Sequence, residues 1–296
     1  MIHQWKAIAA GMSLILCPTA FSESDGVMST TAFRNAVISS MQDQSASELC
    51  VARLTDESFR VGPSMDDCEY HAFVDGAYAE YTDEPERADE IIASLASNYV
   101  SVISEGIDES NFEARLVVQL RAESYAHDVD ASDDASLVAR PFAGDLIAVL
   151  MLDSAQTLAA VSASQLADHG ITEDQAFEMA KANTRSRMGD VLVDEYRKIN
   201  FLSSSNGLIS GQMWLPETCD GQSADAVYFL YDRNGVMKVG LDNPLGVSNL
   251  LSVANGLVIQ GEAMTSSVVR CKNGQWTQLW PTRSADFSGA NPYQPG

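Results

Sequence analysis

Lysine is scarce in this chain. Lys6, Lys181, Lys198, Lys238 and Lys272 are its only lysines, and 18 Lys and Arg together face 41 Asp and Glu, for a formal charge of −23. Such a surface repels nucleic-acid phosphates and anionic lipid headgroups, so neither is expected as a general partner. Long apolar runs are missing as well. Beyond residue 22 nothing approaches the eighteen or so uninterrupted apolar residues that a spanning helix needs, so no transmembrane segment is expected in the mature protein. The usual catalytic signatures are absent too: no Gly-x-Ser-x-Gly elbow, no Ser-x-x-Lys, no His-Glu-x-x-His, no phosphate-cradling Gly-x4-Gly-Lys and no dinucleotide fingerprint. No catalytic residue, cofactor or metal ligand is therefore assigned from motifs.

The N-terminus carries the one strong address. Lys6 supplies a positive n-region, Ala7–Leu16 is an apolar or small run, and Ala20 and Ser22 occupy the minus-three and minus-one positions of a cut after Ser22. This is the layout of a cleavable signal peptide over 1–22, and its core of about ten residues is too short to span a bilayer. The mature chain is expected in the periplasm or outside the cell. A lipid anchor at Cys17 is disfavoured by bulky Leu16 before it and Pro18 after it.

Export changes what the remaining cysteines mean. Cys50, Cys68, Cys219 and Cys271 are an even set in an oxidising compartment and are read as two disulfides. Of the three possible pairings, Cys50–Cys68 with Cys219–Cys271 is favoured because each pair stays in its own half. A zinc site would want close Cys-x-x-Cys spacing or neighbouring histidines, and has neither.

With 46% hydrophobic residues the chain can build a sizeable core. The expected class is α+β: a mixed helix and strand region over 23–200, an antiparallel β-rich region over 201–283, and a flexible tail over 284–296. Phe33, Val37 and Met41 share a stripe at helical spacing in Thr31–Met41. Glu48–Leu54 and Ser58–Val61 are expected strands, and Glu69–Glu80 an expected helix. Thr82-Asp-Glu-Pro85 is expected to open another, with Ile91, Ile92, Leu95, Tyr99 and Val102 on one face. Ala114–Arg121 and Asp145–Leu152 are the strongest strands, the second apolar enough to be central, and His127–Ser136 is a polar connector between them. Ser162-Ala-Ser-Gln165 and Thr172-Glu-Asp-Gln175 are capping boxes, with Gly170 a left-handed helix end. In the C-terminal part, Asn-Gly at 206–207, 234–235, 255–256 and 273–274 reads as a series of turns, since Asn-Gly suits the type I′ geometry.

Three stretches carry a family likeness: HAFVDGAYAEYTDEPERADEII from His71, VVQLRAE over Val117–Glu123, and Pro141–Asn183, where Gly144-Asp-Leu-Ile-Ala-Val-Leu precedes Val161-Ser-Ala-Ser-Gln-Leu, Gly170-Ile-Thr-Glu-Asp and Ala180-Lys-Ala-Asn183. This order resembles the YtpQ-like family, over roughly the first two-thirds of the mature chain. The family's function is uncharacterised, so the resemblance implies an α+β fold and supplies no active site.

Candidate chemistry is thin. His169 precedes Gly170 at a helix end, where an imidazolium would complement the dipole, and His71 is expected partly buried. His127, beside Asp128, is the one histidine in a setting that suits a general base. Twelve acids between Asp56 and Glu90 face only Arg60 and Arg87. They are read as a solvated acidic face, with calcium binding as the alternative. Asp232-Arg-Asn234-Gly235 lacks the distal ligand of a calcium loop and is read as a hairpin. Trp214, Trp276 and Trp280, with Tyr228 and Tyr231, are either core or a platform for a carbohydrate or peptide; Trp276 and Trp280, evenly spaced, should share a strand face. The function expected from all this is a non-catalytic exported module that binds a protein or small-molecule ligand. The alternatives are a hydrolase with a dispersed site, His127 first among its candidates, and a calcium-stabilised module.

Overall fold

A computed structural model describes residues 27–64, 68, 70–129, 136–154, 157–204, 206–220 and 225–281, with backbone alone at 127–129. The expected signal peptide and its cut, the side chain of His127 and the 284–296 tail lie outside the described residues. The class is α+β, as expected. Two compact units divide between Asp108 and Glu109. Residues 200 and 201, where the sequence suggested a boundary, lie instead within one strand of the second unit, because the antiparallel patterning already begins at Val191.

In the first unit, α1 (Thr30–Gln44) starts at Ser29, whose hydroxyl accepts the Ala32 amide. It packs with α2 (Asp75–Asp83) and α3 (Ala88–Glu105) beside a three-stranded antiparallel sheet of β1 (Cys50–Arg53), β2 (Ser58–Gly62) and β3 (Tyr70–Phe73). Phe33, Val37, Met41, Phe59, Val61, Tyr81, Ile91 and Ala96 form its core. The expected helix over Glu69–Glu80 is corrected. Its first part is β3, which pairs Tyr70–Phe73 with Val61–Ser58 and buries Ala72; α2 begins only at Asp75. Long-range pairing overrode the local helical spacing there. Thr82 does not open the next helix either: it lies inside the last turn of α2, its hydroxyl donating to the Ala79 carbonyl, and Pro85 opens a short 3-10 turn before α3.

The second unit opens with α4 (Phe112–Arg115). Its first sheet has β6 (Leu146–Asp153) at the centre. β4 (Leu116–Ala122) lies along one side of it, and β5 (Ala139–Ala143) and β7 (Leu158–Ala160) share the other. β4 is buried throughout and β6 everywhere but Ile147 and Asp153, which is why β6 reads as a nearly unbroken apolar run. α5 (Ser124–Val129) occupies the start of the stretch expected as a polar connector. Both capping boxes form as read, at the starts of α6 (Ala163–Asp168) and α7 (Glu173–Arg187), and Gly170 has φ +66°.

The second sheet has six antiparallel strands: β8 (Val191–Tyr196), β9 (Ile199–Ser204), β10 (Ala226–Asp232), β11 (Gly235–Gly240), β12 (Val268–Lys272) and β13 (Gln275–Trp280), in the order β13-β12-β10-β11-β9-β8. A 3-10 segment, Ile209–Trp214, and α8 (Pro216–Cys219) precede β10, and the long α9 (Pro244–Gln260) lies between β11 and β12. α9 corrects the all-turn reading of the Asn-Gly pairs, since Asn255-Gly256 lies inside it. Burial of Leu250 and Ala254 against Val227, Phe229, Met237, Val239 and Val268 outweighs the roughly 1 kcal/mol that a helical glycine costs. Asn273-Gly274 does form the expected turn, with φ of 51° and 74°. Among the described residues, no helix is long and apolar enough to cross a membrane.

Candidate functional site

The four cysteines come together in the two pairs favoured from sequence. Cys50 and Cys68 have Cα atoms 5.4 Å apart, and Cys219 and Cys271 5.6 Å apart, both at disulfide separation. Cys219 sits on α8 and Cys271 on β12, so the second pair ties the loop before β10 to its sheet neighbour.

Of the histidines, His71 belongs to the first unit and His127 and His169 to the second. His71 is on β3, opposite Arg60 and stacked on Phe73 at 4.2 Å. His127 lies on α5, and its side chain is outside the described residues. His169 is the C-cap of α6, as expected, with two further contacts: it stacks on Phe112 at 4.0 Å, and its Nε2 lies 3.0 Å from Glu109 Oε2. Burial opposes ionisation of Glu109, but hydrogen bonds from His169 and Gln165 outweigh it and hold that carboxyl below its usual range.

Three of the twelve acids of the block are compensated by one arginine. Arg87 meets Glu80, Glu84 and Glu90 at 3.2, 2.6 and 2.9 Å, on the surface of the first unit. Among the described residues, no three or more His, Cys, Asp or Glu are grouped so as to hold a metal ion. The Asp232–Gly235 stretch is a hairpin. Asp232 pairs with Gly235 one residue earlier than Asn-Gly suggested, and Asn234 is spent on Ser204, donating from Nδ2 to its carbonyl at 2.9 Å.

The aromatic residues divide between the two faces of the six-stranded sheet. Trp276 does not share a face with Trp280. A bulge between Val268 and Val269 turns Trp280 toward α9 with Tyr231, while Trp276 packs on Tyr228 and Phe142. Tyr228, Trp276, Phe142, Trp214 and Phe177 form a chain of ring contacts spaced 5.0–6.0 Å, each tilted 48–62° from the next. Tyr228 and Trp276 meet edge to face and the other rings are tilted on their neighbours, so they present no single flat platform.

One concave feature among the described residues was not revealed by the sequence. A cleft of about 480 Å³ in the second unit is lined by Ala122, Glu123, Ser124, Asp145, Val258 and the loop from Ala263 to Ser266. Gly144, at φ +66°, makes the sharp turn from β5 into β6, and a Cβ on it would come within 2.5 Å of Ser267 Oγ. The turn thereby presses Asp145 into the loop after α9. Thr265 Oγ1 donates to Asp145 Oδ1, while the Ser266 amide and hydroxyl both donate to Oδ2 at 2.8 Å. Ser267 Oγ accepts the Asp145 amide at 3.1 Å. Burial works against ionisation of Asp145, but these hydrogen bonds outweigh it and hold the carboxyl below the usual range. Asp145 is thus a fixed anion whose two oxygens are already engaged, while exposed Glu123 stands on the same lining. Val258, Ala263 and Met264 add apolar surface, and the described lining holds neither a basic residue nor a histidine. The only local hints in the sequence are a Gly-Asp pair before an apolar strand and the run Thr265-Ser-Ser267; their meeting across 120 residues is not readable from either.

No known family model, no curated protein and no solved structure matches this chain.

Proposed function

We propose that this chain is an exported, disulfide-stapled, non-catalytic binding module, and that the cleft beside Asp145 receives a small cationic ligand, an amine with a short apolar body. The observation that carries this reading is the state of Asp145. A carboxylate held ionised, with both oxygens accepting hydrogen bonds from Thr265 and Ser266, supplies a constant negative potential, and the same hydrogen bonds weaken it as a base or nucleophile. Glu123 can meet an ammonium at the mouth, with Val258, Ala263 and Met264 beneath its alkyl part. The volume lies within the range of small-molecule sites. Export is supported by the three-part N-terminus and by two disulfide-compatible pairs.

Kinship with the YtpQ-like family over 23–200 is part of the same proposal. The order over Pro141–Asn183 corresponds to β6, α6 and α7, with Asn183 donating to the Glu113 and Leu116 carbonyls, a positional task that suits a recurring residue.

Thermal denaturation with millimolar cadaverine, and with glutarate at equal ionic strength, tests the ligand class. Cadaverine should raise the melting temperature, and Glu123→Gln should reduce the rise. An equal response to both compounds would sink the proposal, as would hydrolytic turnover that disappears in His127→Ala.

A further inference from the structure

We infer that the free edge of β8 is a strand-addition site for an extended basic segment of a partner protein. β8 ends the six-stranded sheet, and it is exposed almost throughout. Leu192, Val193 and Tyr196 are 57%, 58% and 38% exposed, while α9, packed beside this hairpin, adds Leu245 at 57%. Four of the five exposed large hydrophobic residues described in this unit therefore gather on or beside one edge strand, the fifth being Ile259. Single exposed apolar residues mean little, but a cluster along an open edge marks an interaction surface.

The backbone fixes which groups a partner would meet. Arg197 and Lys198 both have left-handed φ, 50° and 64°, so the β8–β9 connection is a two-residue turn closed by Tyr196 and Ile199. Neither residue is glycine or asparagine. The Asn249 side chain holds the turn by donating to the Arg197 carbonyl at 2.8 Å. With Tyr196–Ile199 as the closing hydrogen-bonded pair, Asp194 and Leu192 also bond to β9. The amides and carbonyls of Val191, Val193 and Glu195 then point away from the sheet.

Charge selects the occupant. Asp190, Asp194 and Glu195 have no ion-pair partner among the described residues. The arginines just before them are already committed, Arg185 to Glu217 and Arg187 to Asp153, while the hairpin's own basic residues, Arg197 and Lys198, sit in its turn with Arg197 5.2 Å from the Tyr196 ring, leaving the strand itself acidic. On a chain of net charge −23, a second copy would bring acid against acid, whereas a basic strand is attracted. Leu192, Asp194 and Tyr196 share one face of β8, and Val193 and Glu195 the other. The matching segment is about six residues long, with basic side chains beside Asp194 and Glu195 and apolar ones beside Leu192, Val193 and Tyr196.

The test is fluorescence polarisation with a labelled octapeptide whose core is Ile-Lys-Lys-Ile-Ile, set against Tyr196 to Leu192 in antiparallel register, compared with a Glu-for-Lys version and a version methylated on alternate backbone amides. Binding is expected for the first alone, weakening as salt rises. Val193→Pro removes an amide that the β8–β9 ladder does not use, so it should cut affinity at least about tenfold and leave the melting temperature near that of the parent. If that variant unfolds, the pair Asp194→Lys with Glu195→Lys should transfer binding to the Glu peptide. The inference is overturned if Val193→Pro stays folded and binds as the parent does, or if the Lys and Glu peptides bind alike. It is also overturned if sedimentation shows the edge occupied by a second copy. A lysine side chain is itself an alkylamine, so the two sites are told apart by their variants: Glu123→Gln should leave peptide binding unchanged and Val193→Pro should leave the cadaverine response unchanged, and this result therefore stands or falls separately from that of the cleft.

Discussion

Asp145→Ala should be among the more costly single substitutions in the second unit. The aspartate closes a clamp across 120 residues, and its loss strands three donors. Ser266 is exposed and can turn to water, but Thr265 is 2% exposed and its hydroxyl would lose its acceptor in place. An unsatisfied buried hydroxyl costs roughly 1–3 kcal/mol, and a hydrogen bond to a charged group contributes about 1.5–3. Discounting for water at Ser266, we expect Asp145→Ala to lose about 2–4 kcal/mol. Asp145→Asn keeps the shape and one acceptor, and should lose about 1–2 kcal/mol. The sign of the pH dependence is fixed by the direction of the shift. The folded carboxyl titrates below its unfolded value, so its contribution is fully present above about pH 4 and fades as pH falls through the folded value. Urea denaturation of parent and Asn variant from pH 7 to pH 3 should show a gap that is constant above about pH 5 and narrows as the pH falls below about pH 4. A gap as wide at pH 3 as at pH 7, or an Ala variant within about 0.5 kcal/mol of the parent, would refute the clamp.

Gly211→Ala should destabilise by about 2 kcal/mol or more in the same denaturation assay, because a Cβ there would sit 2.2 Å from the Val118 carbonyl oxygen and force the 3-10 segment off β4. Cys271→Ser opens a 52-residue loop, for which the loop-entropy relation gives about 4 kcal/mol; hydrogen exchange should quicken mainly in β10, β12 and β13. N-terminal sequencing of the exported protein should begin at or near Glu23, and an intact Met1 on that material would contradict the address read from the sequence.

What the sequence disclosed was local. The capping boxes at Ser162 and Thr172 specify their helices because both partners lie within one turn. The Asn273-Gly274 hairpin is legible because asparagine and glycine take the required positive φ at the least steric cost. What it hid depends on distant partners. Tyr70–Phe73 is a strand because β2 is beside it, and α9 tolerates Asn255-Gly256 because the sheet rewards its buried side. The even spacing of Trp276 and Trp280 was misleading because a bulge spends one residue between them. The cleft is the extreme case. Its acid and its hydroxyls sit on two loops that no spacing rule connects, and neither looks unusual alone.

The most direct test of the binding account is a backbone amide shift map of the mature ¹⁵N-labelled protein titrated with cadaverine, with glutarate as the control. Saturable shifts confined to Glu123, Ser124, Asp145 and the Ala263–Ser266 loop, absent with glutarate and with the amine recovered unchanged, are what the account predicts. Saturation that leaves those amides unmoved, or equal shifts with glutarate, would contradict it.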